Sequence, residues 1–364
     1  MRRPPFTAGL AALGPLLAVF AGVTAVPAAA QQVQRLTLEG PRVEIYDVVG
    51  RATLHRGTGS AVVVQATRVG SDAAQIQLAT DQQGKDGAAR LRVVFPADRL
   101  DDGIYWDADG GTSGLRLRAD GTFGGDENGW MGRRGGRTSI SRRGAFHGSA
   151  DLDIAVPEGR TVTLHLAVGR VQLTGTSGDF TIDTWGADVG AQDIAGSYVF
   201  DTGSGDVTVH GATGTLHLDT GSGNCTVSGV RGALLDIDTG SGDADATAVQ
   251  VDRARFDTGS GNVHARGLQA RTGIVDTGSG DAELEFTGGT IDDWKVDTGS
   301  GNARITLPPQ ANATISLDTG SGDITIQRDG LTLQRRESDR MVLRAGDGRG
   351  RLAIDTGSGD AIIR

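Results

Sequence analysis

Eight times in this chain an aspartate opens the string Asp-Thr-Gly-Ser-Gly and an aspartate or asparagine closes it. The copies begin at Asp201, Asp219, Asp238, Asp257, Asp276, Asp297, Asp318 and Asp355. A row of carboxylates flanked by hydroxyls has the chemistry of a calcium site, since calcium takes about six to eight oxygen ligands. Asp201, Asp219, Asp238, Asp257, Asp276, Asp297 and Asp318 are therefore the candidate ligands. The opposite turn of each unit, such as Gly229-Val230-Arg231-Gly232, supplies no matching acid, so half of the expected ligands are missing. The expectation is that no cofactor is required, with calcium the one candidate. The competing reading is structural: each leading aspartate accepts hydrogen bonds from its own turn.

The spacing says what positions these residues. Neighbouring copies lie 18, 19, 19, 19, 21 and 21 residues apart, and the last gap of 37 is close to two periods. A period of this length marks stacked supersecondary units, a solenoid, rather than one globular core. Short alternating segments flank each motif, among them Leu235-Asp236-Ile237 before and Ile324-Thr325-Ile326 after. Such alternation reads as strands with one buried face. The residue before each motif is apolar (Phe200, Leu218, Ile237, Phe256, Val275, Val296, Leu317, Ile354). So is the third residue after it (Val209, Val227, Ala246, Ala265, Leu284, Ile305, Ile326, Ile363). These predict two inward ladders. The fold class is all-β: a parallel β-helix of 18–21 residues per coil, with a less regular N-terminal β cap. Degenerate copies at Asp183 and His165 hold the phase, so the array is expected over 160–364.

Charge limits the stacking. Two unit charges ~4.8 Å apart repel by about 1 kcal/mol in water and about 3.5 kcal/mol at an effective dielectric of ~20. An aspartate column must be wet, rich in donors or bound to cations. The closing column eases this by alternating Asp206, Asn224, Asp243, Asn262, Asp281, Asn302, Asp323. An amide between carboxylates halves the charge and can donate to its neighbour. The threonines of the motif form another column, which as an exposed hydroxyl ladder would order water.

Residues 1–30 read as a secretory signal: Arg2 and Arg3, an apolar stretch from Ala8 to Val26, and Ala28-Ala29-Ala30 as the cleavage site. No cysteine follows that site, and nothing else is apolar enough to span a bilayer. The formal net charge of −10 would become −12 once the two arginines are removed, which excludes duplex nucleic acid as a partner. Cys225 is the only cysteine and shares its column with Val207 and Val263, so it is expected to be a small buried hydrophobe. Residues 31–159 read as an irregular β region with strands at Leu36-Thr37-Leu38, Val43-Glu44-Ile45, 60–68, 74–78 and 91–95. Within it, 101–148 reads as a long glycine- and arginine-rich loop. Trp106, Trp130, Arg133, Arg134 and Arg137 form a candidate ligand loop suited to an anionic glycan or lipid head group.

Catalysis finds little footing. Proton-sharing acid pairs, as in aspartic proteases, need one dyad and not a column. The outward positions Thr208, Thr226, Asp245, His264, Glu283, Arg304 and Thr325 carry neither a catalytic cluster nor an aromatic stripe for sugars. The segment Ala150-Asp151-Leu152-Asp153-Ile154-Ala155-Val156-Pro157-Glu158-Gly159, followed by repeated TGSGD turns, resembles bacterial domains of unknown function named "putative adhesins". The resemblance covers about 33–364 and implies an envelope solenoid without catalytic residues. The reading is a non-enzymatic exported adhesin or interaction surface. Its partner is a protein or glycan of the envelope or of another surface, and its location the periplasm, the outer-membrane surface or the extracellular space. The alternatives are a periplasmic structural or regulatory scaffold whose open final coil, Asp355 to Arg364, docks a partner, and an envelope polysaccharide enzyme.

Overall fold

The structure is a computed structural model that describes residues 33–82, 87–107, 112–123 and 135–364. The segment read as a signal peptide lies outside the described residues.

Hydrogen bonding between layers is parallel and in register through the array. Asp201 pairs with Asp219, Asp219 with Asp238, Asp238 with Asp257, and so on to Asp297. Each coil thus lies on the next as a β-solenoid. Both inward ladders are buried as the alternation requires: Phe200, Leu218, Ile237, Phe256, Val275 and Val296 on one side, Val209, Val227, Ala246, Ala265, Leu284 and Ile305 on the other. Only Ile326 is half-buried, for a reason given below. Cys225 is fully buried, and burial pushes its thiol up to about 12. It fills core space as a valine would.

The motif glycines are required by the space around them. They do not have left-handed backbone angles; the positive φ values fall in the second turn, at Gly214 and Gly232 for example. A Cβ on Gly242 would lie 1.9 Å from the Gly223 carbonyl oxygen of the layer below. Close stacking of turn upon turn, not φ, demands glycine there. Packing along the core is complementary in the same way. Gly273 makes room for the Trp294 ring, whose Nε1 donates to the Ala270 carbonyl at 3.0 Å.

The order of layers departs from the order of the sequence at both ends. The strand Gly350–Thr356 pairs with Asp293–Thr298 on one side and Ala313–Thr319 on the other. Ala361–Ile363 likewise lies between Ala303–Thr306 and Ile324–Ile326. The chain therefore leaves a vacant layer after Asp297, builds the Asp318 layer beyond it, and returns to fill the gap with the Asp355 layer. The gap of 37 residues holds no degenerate coil. It is spent on an antiparallel hairpin, Leu331–Arg336 with Arg340–Ala345, which covers Ala313–Thr319. Asp355 to Arg364 is not an open final coil but an interior one, with Ile354 and Ile363 buried.

The other end repeats the device. Arg42–Arg56 pairs with Arg160–Thr174 on one face and with Ala89–Val94 and Ser149–Val156 on the other. The ladder thus runs across residue 160 and back to residue 42. Antiparallel strands close this end: Val62–Val69 on Ser149–Val156, Val33–Leu38 on Val62–Val69, and Gln77–Asp81 on Ala89–Val94. The region read as a loop over 101–148 contains a three-stranded sheet of Ile104–Tyr105, Gly135–Ser141 and Thr112–Arg118. Leu115, Leu117, Ile140 and Phe123 supply its buried side. Trp130, Arg133 and Arg134 lie outside the described residues.

Candidate functional site

The acidic side of the solenoid is built by the turn. Each motif threonine is buried, and its hydroxyl donates to the carbonyl of the glycine three residues on, at 2.5 Å for Thr239 and 3.0 Å for Thr319. The threonines therefore face inward and form no exposed water-ordering ladder. The closing residue works between layers: the backbone N–H of one donates to the Oδ1 of the one before. Asn224 donates to Asp206 at 2.8 Å, Asp243 to Asn224 at 2.9 Å, and Asn262 to Asp243 at 2.7 Å. The series continues through Asp281, Asn302 and Asp360 to Asp323, whose N–H reaches Asp360 Oδ1 at 2.9 Å. Asn262 and Asn302 also donate their Nδ2 to the preceding carboxylate at 3.1 Å. Because Asp360 sits between Asn302 and Asp323 in space, the last two members of this column are both acids.

The leading aspartates stack one per layer in the order Asp201, Asp219, Asp238, Asp257, Asp276, Asp297, Asp355, Asp318. Cations reach some of them. Arg255 bridges Asp236, Asp238 and Asp257 at 3.2, 3.2 and 2.5 Å, and Lys295 lies 2.7 Å from Asp297. Burial raises the Asp201 carboxyl above its ordinary value, and Asp183 and Asp219 push the same way. Asp257 and Asp355 are raised for the same reasons, burial first and then their aspartate neighbours. The column is a like-charged row held in place by the fold. Among the described residues no group of three or more histidine, cysteine, aspartate or glutamate side chains is arranged so that it could hold a metal ion.

At the N-terminal end the same column changes character, which the sequence signalled only by His165 standing where other copies have aspartate. His165 lies between Asp183, 2.8 Å from its Nδ1, and Glu44, 3.6 Å from its Nε2. Tyr46 stacks on the imidazole at 4.4 Å and donates its hydroxyl to Glu44 at 2.6 Å, while Arg90 pairs with the other oxygen of Glu44. Phe123, five residues beyond the strand Thr112–Arg118, closes over the stack, edge-on to Tyr46 at 6.0 Å. His165, with help from Tyr46 and Arg90, holds the Glu44 carboxyl down at about 2 against the opposing effect of burial. Burial alone would lower the His165 imidazole, but the two carboxylates outweigh it and its net direction is up.

One residue beyond Tyr46 in the same strand lies a residue that sequence reasoning missed. Asp47 occupies the inward threonine column, beside Leu166, and is completely buried. Neither of its oxygens has a hydrogen-bond partner. Burial drives its carboxyl well above the ordinary range; the Val49 and Val48 amides pull the other way without completing a bond.

Of the described members of the candidate ligand loop, Trp106 is half-buried against the core and Arg137 is exposed on the strand Gly135–Ser141. Open grooves lie elsewhere, along the second turn. One of about 500 Å³ is lined by Arg231, Gln250, Gln269 and Arg271, and another of about 400 Å³ by Arg170, Gln172, Gln192 and His210.

The repeat that builds the acidic side has relatives. Residues 191–364, which include all eight motif copies, match the model of the Toastrack DUF4097 family. The matched stretch spans the regular array and the interleaved C-terminal layers. Two solved structures are similar over most of the chain. One, titled a putative adhesin from Bacteroides fragilis, is 13% identical with a TM-score of 0.35, covering 93% of this chain and 99% of that one. The other, titled a putative cell adhesion protein from Clostridium sporogenes, is 10% identical with a TM-score of 0.21, covering 92% and 98%. No curated protein matches the chain.

Proposed function

We propose that this chain is a non-enzymatic exported protein whose Toastrack array serves as an adhesive or interaction surface of the cell envelope. The observation that carries the reading is the internal saturation of the repeated turn. Its threonine hydroxyls and its Asp/Asn ladder are spent on the stack itself, at 2.5 Å in the Thr239 turn and 2.7 Å between Asn262 and Asp243. What faces outward is a stiff, repetitive surface with one acidic group per layer, suited to holding position and to repeated contacts. The titles of the two similar structures, putative adhesin and putative cell adhesion protein, agree with this reading.

Protease shaving of intact cells carrying a tagged chain, beside lysed and fractionated controls, is the test. Loss of the tag from intact cells supports adhesion. Protection until the outer membrane is opened places the protein in the periplasm and sinks the adhesive reading. The second reading, an envelope scaffold, is favoured by a specific feature: one edge of the strand Ile324–Ile326 has no partner strand among the described residues.

A further inference from the structure

The solenoid is closed unequally at its C-terminal end. The Asp318 layer has two strands, Ala313–Thr319 and Ile324–Ile326. The first is covered by the hairpin strand Arg340–Ala345; among the described residues the second pairs with Ala361–Ile363 alone. Two backbone hydrogen bonds fix which groups point outward. Ala361 N–H donates to the Asp323 carbonyl and Gln327 N–H to the Ile363 carbonyl, so residues 323, 325 and 327 face the inner neighbour. Alternation then turns the N–H and C=O of Ile324 and Ile326 to the open side. In the layers below, the N–H of the residue matching Ile324 is satisfied by the next layer, as when Ala303 donates to Asp360. Ile324 has no such layer above it.

Two more features mark this edge as unfinished. Ile324 and Ile326 are half-buried, although their columns are fully buried in the neighbouring layer at Ala361 and Ile363. Asp323 is the last member of the Asp/Asn ladder: its N–H donates to Asp360, and among the described residues no further N–H arrives at its own carboxylate. Arg328 leaves the edge clear, because its guanidinium turns back to the Leu307, Pro308 and Pro309 carbonyls.

We propose that this edge pairs with the same edge of a second copy of the chain, in an antiparallel dimer with its two-fold axis at Thr325. The edge is self-complementary. Each copy presents two N–H and two C=O groups, on Ile324 and Ile326. Placing Ile324 opposite Ile326 of the second copy satisfies all of them in two hydrogen-bonded pairs. The exposed ends of the isoleucines meet across the axis and lose water. Asp323, which can only accept, comes opposite Gln327, whose Oε1 is taken by Arg364 Nε at 3.1 Å and whose N–H₂ remains to donate. An unpaired edge above an apolar core is otherwise a hazard for uncontrolled association, and closed two-fold pairing removes it.

Thr325 faces Thr325 in this arrangement as a non-hydrogen-bonded pair. Their Cα atoms would lie about 4.5 Å apart, within disulfide reach. The full chain carrying Thr325→Cys is therefore expected to form a covalent dimer under mild oxidation; native Cys225 is fully buried and does not compete. Adding Ile326→Pro, which removes an outward N–H and one half-buried side chain but no bond to the inner layer, should abolish the covalent dimer while circular dichroism shows the chain still folded. Light scattering of the unmodified chain should show mass rising toward a dimer with concentration. A Thr325→Cys chain that stays monomeric on oxidation would overturn the proposal. So would a dimer that persists with Ile326→Pro, since its interface would then lie elsewhere.

Discussion

The middle of the solenoid and its two ends are built on opposite principles. From Val189 to Thr306 each layer follows its predecessor in the sequence and pairs with it in register, so neighbours in space are neighbours in the chain. At the ends a segment from elsewhere in the chain is slipped between two layers: Arg42–Arg56 at one, Gly350–Ile363 at the other. A middle layer needs only the repeat. An end layer needs a distant segment to find a vacant slot, and an antiparallel cap beyond it. Plain stacking would leave terminal coils free to fray; interleaving ties each outermost layer to one that cannot leave without it.

The sharpest break in the comparison comes from the middle. Gly242→Val would drive a side chain into the Gly223 carbonyl oxygen, 1.9 Å from the ideal Cβ. The obstacle is backbone and cannot rotate away, so a loss of about 4 kcal/mol or more is expected, at the exceptional end for one substitution. An unchanged melting temperature would show that the layers can separate, contrary to the packing argument.

Leu352 and Leu235 hold the same inward column, one in the inserted Asp355 layer and one in the regular middle, and both are fully buried. Truncating either to alanine should cost about 2–5 kcal/mol. Hydrogen exchange separates them. Leu352→Ala should release Gly350–Thr356, Ala313–Thr319 and Arg340–Ala345 together, because the outer layer and its cap rest on the inserted one. Leu235→Ala should leave those three segments protected. If Leu352→Ala loosens Gly350–Thr356 alone, interleaving does not lock the end.

The regular middle was almost wholly legible in the sequence. The apolar columns before and after each motif are the buried ladders, and the alternating Asp/Asn column is a hydrogen-bonded ladder. The ends were not, because a period read along the chain assumes that order in sequence is order in space. Asp318 and Asp355 look like the last two coils in turn, yet Asp355 sits inside Asp318. The candidate site was legible only as a column of acids. The roles of Thr202 and its equivalents depend on which way each side chain points, and an inward threonine in a turn of exposed acids has no marker in composition. The Glu44–His165 contact joins residues 121 apart, beyond any local pattern.

The N-terminal end also departs from the middle at Asp47, where the inward threonine column holds an acid without partners. Asp47→Thr would restore the residue that closes the turn elsewhere, as Thr202 does by donating to the Gly205 carbonyl at 2.8 Å. Removing an unsatisfied buried polar group should add about 1–3 kcal/mol near neutral pH. A loss of stability would show that the Asp47 carboxyl makes a stabilising contact that threonine cannot replace.

His165 gives that end a pH signature. Its folded-state pKa is raised, so its stabilisation is complete below the ordinary histidine value near ~6.5 and is lost as pH rises through the folded value. His165→Gln should cost about 1 kcal/mol at pH ~5.5 and less at pH ~8.5. A cost that does not vary with pH would assign His165 to packing against Tyr46 alone.

The smallest effect belongs to the acidic column of the middle. The Asp201 carboxyl is raised, by burial and then by Asp183 and Asp219. The folded protein holds that proton more tightly than the unfolded chain does, so its contribution is present below the ordinary carboxylate value near ~3.9 and is lost as pH rises through the folded value. At neutral pH the charge is therefore unfavourable to the fold. Asp201→Asn should stabilise the protein by no more than ~0.5 kcal/mol at pH ~7, since the group is exposed and screened. The gain should shrink at pH ~3 and again in ~1 M salt, where the Debye length falls to ~3 Å, shorter than the layer spacing. A bound cation would reverse the sign: if calcium bridges these layers, Asp201→Asn should destabilise, and chelation should lower the melting temperature of the parent but not of the variant. The sign of this one substitution, measured with and without chelator, decides whether the column is a tolerated cost of stacking identical turns or a site that the stacking was built to make.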